Sequence, residues 1–267
     1  MKPVFAGSLA AIGIIFSFVP ESFFTHGVID VEWSIETIVI INRFLCLIVL
    51  ILIVTSCKLY NWHKRTTVTI FGDNYKIIVE YGNIFDKYDC KKIINFDELF
   101  TTCIGEGPAD IKVDTICGQF LSAHQDVDFD TYIKNYGATK SRKHSEYRNQ
   151  ECYKSGSLIL WNDFLLLAFT KLDKSGLGRM SCEDFLNCLN LLWQELDNHH
   201  GSKSVAMPIL GSGITRLQDS SLKQQQLLDM IIASYKLSPY KLKNPYVLHI
   251  VCRKDENFSL NKIGEYI

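Results

Sequence analysis

Met207-Pro208-Ile209-Leu210-Gly211-Ser212-Gly213-Ile214-Thr215 is the stretch of this 267-residue chain best suited to chemistry. A hydrophobic strand there runs directly into a Gly-Ser-Gly turn, with a helix expected a few residues later. Glycines let backbone N–H groups close on an anion, and a helix N-terminus adds a favourable dipole. A strand end in an open α/β sheet is also where ligands bind. A plain tight turn would use the same glycines. The P-loop ending of Gly-Lys followed by Ser or Thr is absent, as is the six-residue dinucleotide fingerprint.

Further polar or glycine-bearing elements accompany it. Thr115-Ile116-Cys117-Gly118-Gln119-Phe120 is expected between a strand and a helix, where it forms either the opposite wall of a phosphate cleft or an ordinary loop. Gly82-Asn83-Ile84 closes the second expected strand, and Asn95-Phe96-Asp97 closes the third. Polar side chains at strand C-termini are suited to reading a base or a ribose, although each is also a turn residue.

Other chemistries find less support. Asp173-Lys174-Ser175-Gly176-Leu177-Gly178 resembles a calcium loop only superficially, since Asp184 stands where the bidentate Glu belongs and the glycine is displaced. The nine Cys form no C-x-x-C pair, which suits reduced thiols rather than a disulfide framework or a zinc site. The seven His show no metal-ligand spacing, and His199 and His200 read as solvated helix-end residues. No catalytic nucleophile is legible, and no metal or cofactor is expected. A net charge of -1 gives no global basic field for nucleic acid.

The elements that must position these residues alternate. Thr66–Phe71 and Tyr75–Tyr81 form a hairpin around Gly72-Asp73-Asn74, and Lys91–Phe96 is a third strand. Asp126–Tyr136 reads as a helix and 138–154 as a polar, basic loop. Ser157–Leu160 and Phe164–Thr170 form another hairpin. Ser181 caps a helix to about Asn198. Val205–Leu210 is a buried strand, Ser220 or Ser221 opens a helix to about Lys236, and Tyr246–Cys252 is the last strand. This order predicts a three-layer α/β/α fold over 63–267, with helices on both sheet faces.

Residues 1–62 differ in kind. Val4–Val19 carries no charge and is closed by Pro20; a second apolar run spans Thr37–Tyr60. The pair reads as a transmembrane hairpin with helices over about 4–20 and 37–60. The connector holds Glu21, Asp30, Glu32 and Glu36, whereas Lys2, Lys58, Lys64 and Arg65 flank the outer ends. The positive-inside rule then sets both termini and the soluble domain in the cytoplasm. A cleaved signal peptide is the alternative for the first run, and it leaves the C-terminal domain inside. Ala6, Ala10, Gly13 and Ser17 make a small-residue stripe for packing within the hairpin or between copies. Arg43, beside Asn42, either snorkels to the outer interface or lines a seam in an oligomer.

In this order the four elements resemble a macro domain, an α/β/α fold that binds ADP-ribose and related nucleotides. Gly82-Asn83-Ile84 is similar to the family's early G-D-I element, with Asn83 replacing the Asp that contacts adenine. Asn95 and Asp97 fall where the family sets a polar strand end near the distal ribose. Thr115–Phe120 occupies the first phosphate loop without its run of glycines, and Pro208–Ile214 matches the second, extending through Thr215 and Arg216. With the membrane pair and Leu167–Asp173, the chain resembles the macro-type effector of bacterial Thoeris anti-phage defence. The resemblance implies a non-enzymatic, homo-oligomeric sensor in the bacterial inner membrane. It would bind an ADP-ribose derivative made from NAD by a TIR-domain partner and then compromise membrane lipid. A membrane-anchored ADP-ribosyl hydrolase is the competing reading.

Overall fold

The computed structural model describes residues 13, 19–25, 34–213, 216–217, 222–256 and 258–263. The chain divides into two compact units, Met1–Arg65 and Thr66–Ile267.

In the first unit a 3-10 turn, Glu21–Phe24, precedes helix α1, Ile35–His63. Within Ile35–Tyr60 an 18-residue stretch reaches a mean hydropathy of 2.9, and among the described residues this helix alone is long and apolar enough to cross a membrane. Apart from Gly13, Val19 and Pro20, the expected first helix and its small-residue stripe lie outside the described residues. Among the described residues one membrane-length helix of the expected two-helix hairpin is seen. Polar groups of that helix turn to Phe24: Asn42 Nδ2 donates to its carbonyl at 2.9 Å, and the Arg43 guanidinium lies 5.5 Å from its ring centroid. Cation–π contact with Phe24 thus partners the charge inside the apolar run.

The second unit carries strands β1 (Thr67–Phe71), β2 (Lys76–Tyr81), β3 (Cys90–Asp97), β4 (Leu158–Trp161), β5 (Phe164–Leu172), β6 (Gly178–Met180), β7 (Ser204–Pro208), β8 (Arg216–Leu217) and β9 (Val247–Cys252). Its helices are α2 (Ile116–Ala123), α3 (Phe129–Tyr136), α4 (Cys182–His199) and α5 (Gln224–Leu237). The strands form one mixed sheet in the order β1-β2-β9-β7-β3-β5-β6-β8, with β4 also paired to β5. Strands β2, β9, β7, β3 and β5 run parallel, so their C-terminal ends share one edge.

Alternation along the central strands builds two cores. On β5, Leu165, Leu167 and Phe169 join the core beneath α4 and α5, where Phe185, Leu189, Leu192, Trp193 and Leu228 are buried. Leu166 and Ala168 face the other way, into the core of α2 and α3 around Phe120 and Phe129. A strand buried on both faces reads as a continuous apolar run, which Phe164–Ala168 is.

Several boundaries follow local chemistry. Ser181 Oγ accepts the Asp184 N–H at 3.0 Å and opens α4 as expected. Helix α3 starts later than the expected Asp126, because the Asp128 carboxylate accepts the Thr131 N–H at 3.0 Å. Helix α5 starts at Gln224 rather than near Ser220 or Ser221, where Gln226 Oε1 reaches back to the Lys223 N–H at 3.0 Å.

Candidate functional site

At the shared C-terminal edge of the parallel strands lies a cavity of about 650 Å³. Gly82, Asn83 and Ile84 follow β2; Asn95 and Asp97 end β3; Pro208, Gly211, Ser212 and Gly213 follow β7. Cys117 and Gln119 of α2 face them. Most of the sequence-derived candidates thus line one cavity although they come from distant parts of the chain. Its volume falls in the ordinary range for small-molecule sites.

Each wall is set by its own hydrogen bonds. Asn83 caps the 3-10 turn Ile84–Asp86, its Oδ1 accepting the Phe85 N–H at 3.1 Å. The Asp97 carboxylate accepts the N–H groups of Leu99 at 2.8 Å and Thr101 at 3.1 Å, turning the chain away from β3. Burial pushes the Asp97 carboxyl above its usual value in spite of those donors. Asn95 is half-buried on the cavity wall. In the second glycine turn, Ser212 Oγ donates to the Ile209 carbonyl at 2.7 Å, and Gly211 adopts φ +78°. The space that a Gly213 side chain would fill is open.

The opposite wall differs from expectation. Thr115 caps α2 by accepting the Gly118 N–H at 3.0 Å, so Cys117–Phe120 is the start of a helix and not a loop. Gly118 is needed for packing: a Cβ there would sit 2.2 Å from the Lys112 carbonyl oxygen. Gly118 does not line the cavity, and Phe120 is buried in the aromatic core with Phe96, Phe129 and Trp161. Leu210 is likewise buried core. Cys117 is buried, which pushes its thiol well above the usual range. Ile214 and Thr215 lie outside the described residues; Arg216 stands in β8, in register with Arg179.

Sequence reading missed several groups, Thr170, Leu172, Gly176, Gly178 and Gln224 among them. The segment Pro108–Asp114 lines the cavity, and Lys112 holds it in shape by donating to the carbonyls of Gly105 at 3.1 Å and Gly107 at 3.2 Å. Arg253, Lys254 and Asp255 line it from the end of β9, and Arg253 Nη2 also donates to the Asp114 carbonyl at 3.4 Å. Arg253-Lys254-Asp255 follows the last apolar strand immediately, so the strand-end rule applied to Gly82 and Asn95 would have found it. Among the described residues no group of three or more His, Cys, Asp or Glu is placed to hold a metal ion. The residues of the calcium-like segment form a tight turn instead, with Asp173 Oδ1 accepting the N–H groups of Ser175 at 2.8 Å and Leu177 at 3.0 Å.

A parallel-centred α/β sheet carrying helices and a nucleotide-sized cavity at its C-terminal edge fits the macro-domain class. The chain belongs to a defined branch of it. The family described as "Thoeris protein ThsA, Macro domain" matches residues 77–253. The chain is also similar to Thoeris protein ThsA of Bacillus amyloliquefaciens (strain Y2), with 28% identity over 210 residues, covering 74% of this chain and 70% of that protein.

Proposed function

We propose that this protein is a membrane-tethered anti-phage defence sensor whose macro domain binds an ADP-ribose-type signal derived from NAD. The observation that carries this reading is the convergence of Gly82-Asn83, Asn95 and Gly211-Ser212-Gly213 on one cavity. The pyrophosphate rests against the Gly211–Gly213 turn, where the backbone N–H groups of Gly211 and Gly213 supply neutral donors. Arg253 and Lys254 add positive charge to the same cavity. Asn83 reads the base, and Asn95 with Asp97 meets the distal ribose. A TIR-domain partner supplies the signal, and binding favours an assembled state of the chain that damages membrane lipid. Helix α1 spans the inner membrane within a two-pass hairpin, and Lys58, Lys64 and Arg65 hold its C-terminal end in the cytoplasm.

Calorimetry of the full-length chain in detergent with ADP-ribose and its conjugates tests the reading. Stoichiometric binding without turnover is expected, and Gly213→Glu should abolish it. No heat from any ADP-ribose derivative overturns the proposal. Release of free ADP-ribose from a conjugate would establish the hydrolase reading in its place.

A further inference from the structure

Strand β1 is Thr67-Val68-Thr69-Ile70-Phe71, a run with no charge, Pro or Gly. It ends the sheet, and among the described residues β2 is its sole strand partner. Natural edge strands are commonly blunted by charge, Pro or a bulge, because a bare edge templates another strand. This one is bare along its whole length.

The ladder to β2 fixes which groups face outward. Tyr81 N–H donates to the Thr66 carbonyl at 3.1 Å, and Gly72 N–H donates to the Tyr75 carbonyl at 3.0 Å. Both belong to the register that pairs Thr67 with Glu80 and Phe71 with Lys76. In an antiparallel ladder such hydrogen-bonded pairs alternate with pairs whose main-chain groups point away. Thr66, Val68, Ile70 and Gly72 therefore bond β2, and Thr67, Thr69 and Phe71 direct their N–H and C=O groups to the open edge. Their side chains are exposed too, with Phe71 at 75%.

We propose that β1 pairs antiparallel with β1 of a second copy about a twofold axis through Thr69. Only this symmetric register engages all three outward residues of both copies, setting Thr69 against Thr69 and Thr67 against Phe71. It also brings Arg65, two residues before the strand, toward Asp73 of the hairpin turn at each end. Both are exposed, and no ion pair joins either to another described residue. A shift by two residues loses an opposed pair and separates the charges. The sequence of the edge is thus complementary to itself, which selects a second copy over an unrelated chain as its occupant. Five residues make a small interface. Confinement of both copies to one membrane raises their effective concentration and compensates for that.

The pairing goes beyond the sensing reading; it rests on the membrane tether proposed with that reading but needs no bound nucleotide. Full-length Thr69→Cys in membranes, oxidised with copper phenanthroline, tests it. In this register two Thr69 Cα atoms lie about 5.5 Å apart, within disulfide range, whereas two Thr67 Cα atoms lie about 14 Å apart. A covalent dimer about tenfold above the Thr67→Cys and wild-type backgrounds is expected, that margin reflecting the steep distance dependence of bridging. Asp73→Arg in the Thr69→Cys chain should lower the yield about tenfold by opposing like charges, and adding Arg65→Asp should restore it. Thr69 directs its N–H away from β2 and its side chain onto the exposed face, so its substitution leaves the intrachain ladder whole. No dimer above background, equal yields at 67 and 69, or indifference to both charge reversals overturns the proposal. Nucleotide binding by the same variants reports separately on the sensing reading.

Discussion

Asn83 Oδ1 accepts the backbone N–H of Phe85 at 3.1 Å, which commits the side-chain oxygen to the turn after β2. The macro family's Asp at this position uses carboxylate oxygens on adenine; here the amide N–H₂ is the group left for a ligand. Asn83→Asp keeps a capping oxygen and adds a second acceptor. We expect it to strengthen binding of ADP-ribose about tenfold relative to the hypoxanthine analogue, the worth of one charge-assisted hydrogen bond. Paired calorimetric titrations check this, and an unchanged ratio would remove Asn83 from base recognition.

The two glycines of the second turn should behave differently. Gly211 holds φ +78°, a region costly for side-chain-bearing residues, whereas Gly213 has open space and no such constraint. Gly211→Ala should therefore destabilise the domain by about 1 kcal/mol. Gly213→Glu should leave thermal unfolding unchanged while its charge repels a bound pyrophosphate. Melting curves with and without ligand separate strain from binding.

Gly118 is predicted to act through the wall it supports. Its missing Cβ would meet the Lys112 carbonyl oxygen at 2.2 Å and the Val113 Cα at 2.8 Å, both backbone atoms that cannot swing aside. Gly118→Ala should cost about 1–3 kcal/mol, as overpacking does. It should also weaken ligand binding by displacing Lys112 and Asp114. Chemical denaturation at saturating and zero ligand measures both effects; a stable variant with intact binding would mean the wall yields freely.

What could be read from residues alone was set by range. The β1–β2 hairpin, the buried run at Phe164–Ala168 and the Ser181 cap are local, and each stands in the structure close to where its chemistry puts it. The cavity is not local. Its Gly82, Asn95 and Gly211 walls could be collected because a parallel sheet gathers strand ends at one edge. Segment Pro108–Asp114 escaped because its shape depends on Lys112 reaching the Gly105 and Gly107 carbonyls. Phe120 was mistaken for a cavity residue because a Cys-Gly-Gln-Phe string reads as loop until Thr115 is seen to cap a helix. Helical spacing then turns Gln119 to the cavity and Phe120 to the core.

Asp97 yields a prediction whose sign can be worked out. Burial raises its carboxyl pKa in the folded protein above the unfolded carboxylate value of about 3.9. Between those two values the native state keeps a proton that the unfolded chain has released, so this group's contribution to stability falls as pH rises through the window. Glu80 acts in the opposite sense. Burial pushes its carboxyl up, but hydrogen bonds with Lys87 and His249 outweigh that and hold it below the usual value. Its contribution is present above the unfolded value and lost as pH falls, so the wild-type profile mixes the two. Asp97→Asn isolates the first. The amide oxygen can still accept from Leu99 and Thr101, and the buried charge is gone. The variant should melt above wild type at pH 7, and the gap should close as pH falls through the raised carboxyl pKa, below which the wild-type carboxyl is protonated as well. Unfolding measured on both proteins across that range decides it. A variant less stable than wild type at pH 7 would mean that the ionised carboxylate holds the turn after β3 better than an amide can.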